Sequence, residues 1–308
     1  MENKHIPVLL NEVIEGLNIK PNGVYLDLTL GRAGHSSEIL SRLNKDGLLI
    51  GVDQDQQAID ESRERLSKIN NNFVLIKNNF LYVDEILESL NIDKVDGVLM
   101  DLGVSSPQFD DIDRGFSYRF DSRLDMRMDQ SQNLTAHYVV NNYPEAELRR
   151  IFYEYGEDKY SASIARNIVK ERANHPIDTT FQLVEIIKKS KPSKELKKAG
   201  HPAKQIFQAI RIEVNDEINV LKEALNDVVK HLNNGGRLAV ITFHSLEDKI
   251  VKKLFKDLTV VEGNRNNLPV KEEKDFILIT RKGIKPSEKE LEINHRSQSS
   301  TLRIIEKK

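Results

Sequence analysis

Two aspartates stand at the ends of apolar runs. Asp53 closes Leu48–Val52 (LLIGV) and Asp101 closes Val95–Met100. Gly31 lies 22 residues before Asp53, in the stretch Thr29-Leu30-Gly31-Arg32-Ala33-Gly34-His35-Ser36. After a strand, glycine permits a sharp turn and close approach of a ligand. The helix that follows starts with N–H groups lacking intrahelical acceptors. A carboxylate about 20 residues further on can accept hydrogen bonds from both hydroxyls of a ribose. Phe80, after a third apolar run, can cover an adenine face, although a lone Phe there also suits a core. Each has a plainer reading as well. The turn lacks the full G-x-G-x-x-G pattern, and Asp53 could be a helix cap or a solvated turn acid. Together they point to a nucleoside-bearing cofactor, either a nicotinamide or S-adenosylmethionine.

The fourth run narrows this. It ends in Asp101-Leu102-Gly103-Val104-Ser105-Ser106-Pro107-Gln108. A hydride enzyme needs proton-handling His, Tyr or Lys near its nicotinamide, and this loop has none. Methyl transfer from a sulfonium needs alignment of donor and nucleophile more than acid–base groups. If the nucleophile is an exocyclic amine on a base, carboxylate and carbonyl acceptors around its hydrogens stabilise the charge developing on nitrogen. Asp101 is the candidate catalytic residue, with a structural loop cap as the alternative.

Positioning these groups requires alternating elements. Val24–Leu28, Leu48–Val52, Phe73–Ile76 and Val95–Met100 read as strands, with helical spacing at 35–43, 55–69 and 83–90 between them. Apolar strands alternating with helices imply a parallel, doubly wound α/β sheet covered on both faces. Its ligands bind beyond the carboxyl ends of the strands. The alternation stops after the fourth strand. A long polar stretch opens residues 105–204, and helical patterns at 144–154, 159–173 and 179–190 follow. The pattern resumes with one long helix over 205–232, stopped by Asn233-Asn234-Gly235-Gly236, and a strand at Arg237–Phe243. A capping box at Ser245–Asp248 opens the next helix. Strands at Phe276–Thr280 and Leu302–Ile305 suggest a hairpin at one edge. The expected architecture is a seven-stranded, mostly parallel sheet built from 1–104 and 205–308, with an all-helical domain inserted at 105–204.

The 308 residues include no cysteine, which excludes disulfides, thiolate metal sites and a cysteine nucleophile. No signal peptide and no membrane-length apolar run is visible, so a cytoplasmic protein is expected. A formal net charge of -2 argues against blanket coating of nucleic acid. One stretch differs: Lys188 to Lys204 holds seven lysines and one acid, Glu195. It reads as a solvated helical surface or as a phosphate-binding face.

Several longer blocks carry a family resemblance. HIPVLLNEV (5–13), DLGVSSPQ (101–108), RGFSYR (114–119), LDMRMD (124–129), HPAKQIFQAIRIEVNDE (201–217) and FHSLEDKIVK (243–252) occur in order along the chain. Together they resemble the ribosomal RNA small-subunit methyltransferase H family, of the MraW type, over essentially the whole sequence. The resemblance implies a Rossmann-like class I methyltransferase fold with a helical insertion after strand four. It also implies S-adenosylmethionine-dependent methylation of the 4-amino nitrogen of one cytidine in the decoding region of 16S ribosomal RNA. The implied cofactor contacts are Ala33, Gly34, His35, Asp53, Phe80, Asp101 and Gln108, with no metal. Ala33 stands where the family often has a second adjacent glycine; a backbone N–H contact there survives if φ stays negative. Thr242 and the 294–303 segment also depart slightly from the usual pattern.

With an RNA substrate, the insertion becomes the expected recognition domain. Arg127, Lys204, Arg211 and His244 are candidate RNA contacts. For Arg127, the flanking Met126 and Met128 favour packing; for His244, a satisfied histidine near a helix start is the plainer reading. The expected partner is 16S rRNA within the small ribosomal subunit, with a homodimer left open. Two rival functions remain at this point: an RNA-binding assembly protein without catalysis, and a nicotinamide oxidoreductase.

Overall fold

The computed structural model describes residues 6–260 and 274–308; His5, the first residue of the HIPVLLNEV block, lies outside them. The chain divides into a sheet unit, Met1–Gly103 with Asn219–Lys308, and a helical unit, Val104–Ile218.

The sheet unit opens with a helix that periodicity had not marked, α1 (Leu10–Leu17), which buries Val13, Ile14 and Leu17. Then come β1 (Val24–Asp27), α2 (Gly34–Leu40), β2 (Leu48–Asp53), α3 (Gln56–Leu66), β3 (Phe73–Lys77), α4 (Val83–Ser89) and β4 (Val95–Asp101). The strand order is β3-β2-β1-β4-β5-β7-β6. β1 to β5 pair in parallel, whereas β7 (Thr301–Lys307) runs antiparallel between β5 (Leu232–Thr242) and β6 (Phe276–Leu278). The sheet is thus seven-stranded and mostly parallel, a Rossmann-like methyltransferase fold. The central strands are apolar on both faces because helices cover both: Val98, Leu99 and Met100 of β4 are all fully buried. Each such side chain contributes about 1.5–3 kcal/mol of burial energy. Succession reverses between β1 and β4, so the crevice at their carboxyl ends is where ligands bind in such sheets.

The helical unit contains α5 (Ser106–Asp110), α6 (Ala136–Asn142), α7 (Glu145–Glu154), α8 (Ser161–Arg172), α9 (Thr180–Lys189), α10 (Ser193–Leu196) and α11 (Lys204–Asn215). It has its own core, in which Leu148, Ile151, Phe152, Ile164, Ile168 and Ile206 are all fully buried. Met126 and Met128 belong to that core, as the packing reading expected.

Three local expectations need correction. The single helix over 205–232 is two helices, α11 and α12 (Glu217–Val228), because Asp216 adopts φ 49° and breaks the hydrogen-bond ladder. Apolar period alone could not reveal this, since the apolar stripe continues across the break. The division accordingly falls at Asn219, so α11 belongs to the helical unit. The strand expected from Arg237 begins at Leu232, which pairs with Val95 before a register shift absorbs the Gly235-Gly236 turn.

α13 (Ser245–Thr259) also starts one residue earlier in its cap than expected. His244 is the N-cap, and its side chain accepts from Glu247 N–H; Glu247 returns the bond to the His244 backbone. Before α14 (Glu288–Ile293), Ser287 caps in the ordinary way, its Oγ accepting from Glu290 N–H at 3.2 Å.

Candidate active site

The glycine turn is held from several sides. Asp53 Oδ2 accepts the Gly31 N–H at 2.8 Å and Oδ1 accepts the Asp55 N–H at 2.9 Å. Asp55, not Asp53, caps α3. Asp53 therefore pins the turn to the end of β2, and each of its oxygens keeps a second lone pair for a ligand. Ser62 Oγ donates to Gly31 O at 2.8 Å, and Arg65 Nη1 donates to Arg32 O at 3.1 Å. Gly34 is glycine for a packing reason: a Cβ would lie 2.5 Å from Pro7 Cγ.

Ala33 overturns its expectation. Its φ is 54°, in the left-handed region, and its N–H donates to Leu30 O at 2.8 Å. The condition for a free backbone contact, a negative φ, is not met, because Ala33 is the non-helical N-cap of α2. Its methyl is buried in the core beside α1 and β1. Two effects then oppose each other on Ala33→Gly. Leaving the left-handed penalty behind gains about 1–2 kcal/mol, and losing a buried methyl costs about 0.8 kcal/mol. The expected result is a stability change within about 1 kcal/mol. Ala33→Val combines a branched side chain at positive φ with overpacking and is expected to cost at least about 2 kcal/mol. Chemical unfolding of the two variants checks this; a valine variant as stable as the parent would be incompatible with the turn described.

The ends of β1 and β4 carry the densest buried charge. Asp27, overlooked in the sequence, is buried between the Ser36 hydroxyl, donating to Oδ2 at 2.7 Å, and the Thr29 N–H, donating to Oδ1 at 3.1 Å. Thr29 Oγ1 in turn accepts the Asp101 N–H at 2.6 Å, tying β1 to β4. The available signal was an acid inside the apolar run VYLDL. Burial pushes the Asp27 carboxyl up to about 6, against the lowering effect of its hydrogen bonds from Ser36 and Thr29. Burial also pushes Asp53 up to about 6, again opposed by its backbone hydrogen bonds. Asp101 is raised well above the usual carboxylate range, first by burial and then by the negative charges of Asp27 and Glu247.

Asp101 Oδ1 is shut off from solvent and has no hydrogen-bond donor among the described residues. A buried acceptor left unmade costs about 1–3 kcal/mol, so its presence asks for a ligand donor. Asp101 Oδ2 lies 3.7 Å from His35 Nδ1, too far for a direct hydrogen bond. His35 is buried, and its Nε2 lies 2.9 Å from Val8 O, which fixes the ring against the N-terminal segment. The structure thus brings together Ala33, Gly34, His35, Asp53 and Asp101 around one end of the sheet unit. Phe80 is half-buried at the start of a short 3-10 turn after β3, packed on the core beneath that edge. Gln108 belongs to the helical unit, buried, its Oε1 accepting the Ser105 N–H at 3.1 Å.

The candidate RNA contacts fare differently. Arg127 is committed within its own loop: Nε and Nη2 bind Asp125 at 3.0 and 2.8 Å, and Nη1 donates to the Gln130 and Gln132 carbonyls. Arg211 forms a two-point pair with Glu217 at 2.7 and 2.9 Å. Asn215 orders the same segment, with Oδ1 accepting from Met128 N–H and Nδ2 donating to Met126 O. Both arginines read as organisers of the helical unit and not as phosphate ligands, a correction to their sequence assignment. His244 turns toward its own helix and caps it through Nδ1, which fits the plainer reading at that atom. Its buried Nε2 makes no hydrogen bond among the described residues, although Glu247 Oε1 lies 3.1 Å away. Lys204 is exposed at the first turn of α11.

A parallel sheet with a glycine turn at β1, an acid ending β2 and a buried acid ending β4 at the switch point defines an α/β methyltransferase. The chain belongs to the MraW methylase family, which matches residues 2–308. It is 54% identical over 310 residues to a protein of Mesoplasma florum named ribosomal RNA small subunit methyltransferase H, covering 99% of each chain. Proteins with the same name match from Clostridium botulinum (strain Loch Maree / Type A3), 54% identical, and Clostridioides difficile, 52% identical, each over 100% of both chains.

Proposed function

We propose that this protein methylates the exocyclic 4-amino nitrogen of a specific cytidine in the decoding region of 16S ribosomal RNA, within the small subunit. The observation that carries the reading is the orphaned Asp101 Oδ1 at the β1/β4 switch point, in a chain whose full-length relatives bear the name of a ribosomal RNA methyltransferase. The methyl donor is S-adenosylmethionine, which supplies an activated methyl group on a sulfonium. The residues present suit it: carboxylates of Asp27, Asp53 and Asp101 provide negative charge, and Asp53 has lone pairs for two hydroxyls. Gly34 and His35 shape the turn, and Ala33 contributes its conformation more than its N–H. Phe80 offers an apolar face, and the resemblance adds Gln108.

Asp101 is assigned the catalytic role. Its Oδ1 accepts a hydrogen bond from the amine, localises the nitrogen lone pair, and stabilises the positive charge that develops there. The proton then leaves to the carboxylate or to water. Thr29 orients the residue by accepting its backbone N–H.

The raised carboxyls give a pH dependence. For Asp27 and Asp53 the folded value is about 6, above the unfolded value of 3.8. The folded donor-free protein therefore binds more protons than the unfolded chain between those values, and its stability falls as pH rises through that window. Cationic donor favours the ionised carboxylates, so its affinity is expected to rise from pH 5 to pH 7 with a midpoint near 6. Calorimetric titration with S-adenosylmethionine across that range checks this. A flat affinity would remove the carboxylates from donor binding.

The deciding experiment is tritiated methyl transfer to small subunits from cells lacking the enzyme, with nucleoside analysis of the product. Label in 4-methylcytidine supports the reading. Label elsewhere, or NAD binding in place of S-adenosylmethionine, removes it. An RNA-binding protein without catalysis would bind subunits and transfer no label.

A further inference from the structure

The lysine run, read as a solvated helical surface or as a phosphate-binding face, is split by the fold. Lys191 is buried against Asp158, and Lys198 pairs with Glu195. A different set gathers around His201. Its imidazole stacks on Tyr118, with ring centroids 4.3 Å apart and planes 10° apart. Tyr118 is held edge-on by Phe207, with centroids 5.7 Å apart. Arg119 and Phe120 follow Tyr118 directly and are exposed, Phe120 at 48%. The 120–124 segment is tied to the start of α9: Thr180 Oγ1 donates to Phe120 O at 2.7 Å, and Thr180 N–H donates to Ser122 O at 2.8 Å. A second exposed aromatic, Phe181, follows Thr180 directly, and its N–H donates to the Asp121 carboxylate at 3.2 Å.

The His201 ring has a defined tautomer. Its Nδ1 accepts the Ala203 N–H at 3.2 Å, so the neutral ring carries its proton on Nε2. Burial, then the positive charges of Lys188, Arg119 and Lys191, hold His201 below the ordinary histidine range. A neutral, half-exposed aromatic ring ringed by cations is unusual for a solvated surface. Of these cations Lys191 is committed to Asp158 and Lys188 has an exposed i,i+3 pair with Glu185, whereas Arg119 makes no ion pair among the described residues.

We propose that the face carrying Tyr118, Arg119, Phe120, Phe181, Lys188 and His201 binds single-stranded RNA. Bases stack on the aromatic rings, and Arg119, Lys188 and the His201 Nε2–H hold phosphates. Exposed aromatics interleaved with the ion-pair-free Arg119 and with Lys188, held only by a weak surface pair, match that polymer in charge and in π-surface, whereas a duplex would hide its bases. The inference rests on the RNA reading above and names the residues by which the helical unit acts in it.

A fluorescein-labelled short single-stranded RNA, titrated by anisotropy at several salt concentrations, tests the face. The Arg119→Glu, Lys188→Glu double variant should reduce the slope of log affinity against log salt by about 1.4, the value for two phosphate contacts on a single strand. His201→Ala, and separately Phe120→Ala with Phe181→Ala, should each weaken binding about tenfold. The side chains changed in the charge-reversed and phenylalanine variants are exposed or partly exposed, so unfolding does not confuse the result; S-adenosylmethionine affinity, to which none of them is assigned, should be unchanged. Unaltered RNA affinity in the charge-reversed and the phenylalanine variants overturns the proposal. So does loss of subunit binding with RNA affinity intact, which would mean that the face takes a ribosomal protein. Subunit methylation by the unaltered protein reports on the catalytic reading alone, so the two can fail separately.

Discussion

Asp101→Asn is expected to lower the rate of methyl transfer to small subunits by at least about 100-fold, while leaving the protein folded and more stable. The first half follows from proton acceptance. Asparagine has nearly the same shape and keeps one acceptor oxygen, yet it carries no negative charge to stabilise the developing cation and cannot take up the proton, and loss of a positioned acid–base group typically costs 100-fold or more. The second half follows from the charge the residue carries. Asp101 is raised well above its ordinary range by burial, Asp27 and Glu247. For a carboxyl raised in the folded state, ionisation is penalised there, so the stability it removes is lost progressively as pH rises above the unfolded value. Removing the charge should therefore raise the unfolding midpoint more at pH 8 than at pH 5. Such a trade of stability against function is common where a site keeps an unpaired polar group. Radiolabel incorporation and thermal unfolding at the two pH values measure both halves. An active variant would remove Asp101 from the chemistry; an inactive but destabilised one would mean that its role is structural.

Lys191→Met is expected to destabilise the helical unit by about 3–5 kcal/mol. Lys191 Nζ is bound by Asp158 Oδ2 and by Pro202 O, and both side chains are nearly closed to solvent, at 7% and 1% exposure. Asp158 also organises its own turn: Oδ1 accepts the Tyr160 N–H at 2.8 Å, and its carbonyl accepts the Ser161 hydroxyl. Methionine leaves that carboxylate buried without a cation. The cost is large because the survivor is charged, not because the pair itself was worth so much. Asp158→Asn in the same chain should then recover part of the loss, and the double-mutant cycle isolates the coupling. Chemical unfolding provides the energies. A single variant as stable as the parent would mean that water or another group reaches Asp158. RNA affinity serves as a second readout, since a buried lysine contributes none through phosphate contact.

These two residues show different limits of sequence reading. Asp101 was legible because a strand pattern ended on it and the β-α alternation fixed where strand ends must lie. Lys191 was legible only as one lysine among seven, since nothing local separates a lysine that reaches Asp158, 33 residues away, from one in water. Arg127 and Arg211 failed for the same reason. Each was assigned by charge, and charge does not reveal whether Asp125 or Glu217 has already claimed it. His244 was closer, because a histidine at a strand-to-helix junction has few local options, and capping was one.

The turn at Gly31 to His35 marks the boundary more finely. Its place after β1, the acid ending β2 and the α/β alternation were set by the sequence alone, through apolar periodicity and spacing, which are local properties of the chain. So was membership of the family, carried by blocks spread over the whole length. Only the tertiary structure decided that Ala33 sits at φ 54°, that Gly34 is required by Pro7, and that Asp27 is buried beside Asp101. It also decided that Asp216 ends α11, so that the helical unit extends to Ile218. Each of these depends on which distant atoms meet. A pattern of residue types encodes which faces must be buried, but not the partner that a given polar atom finds once they are.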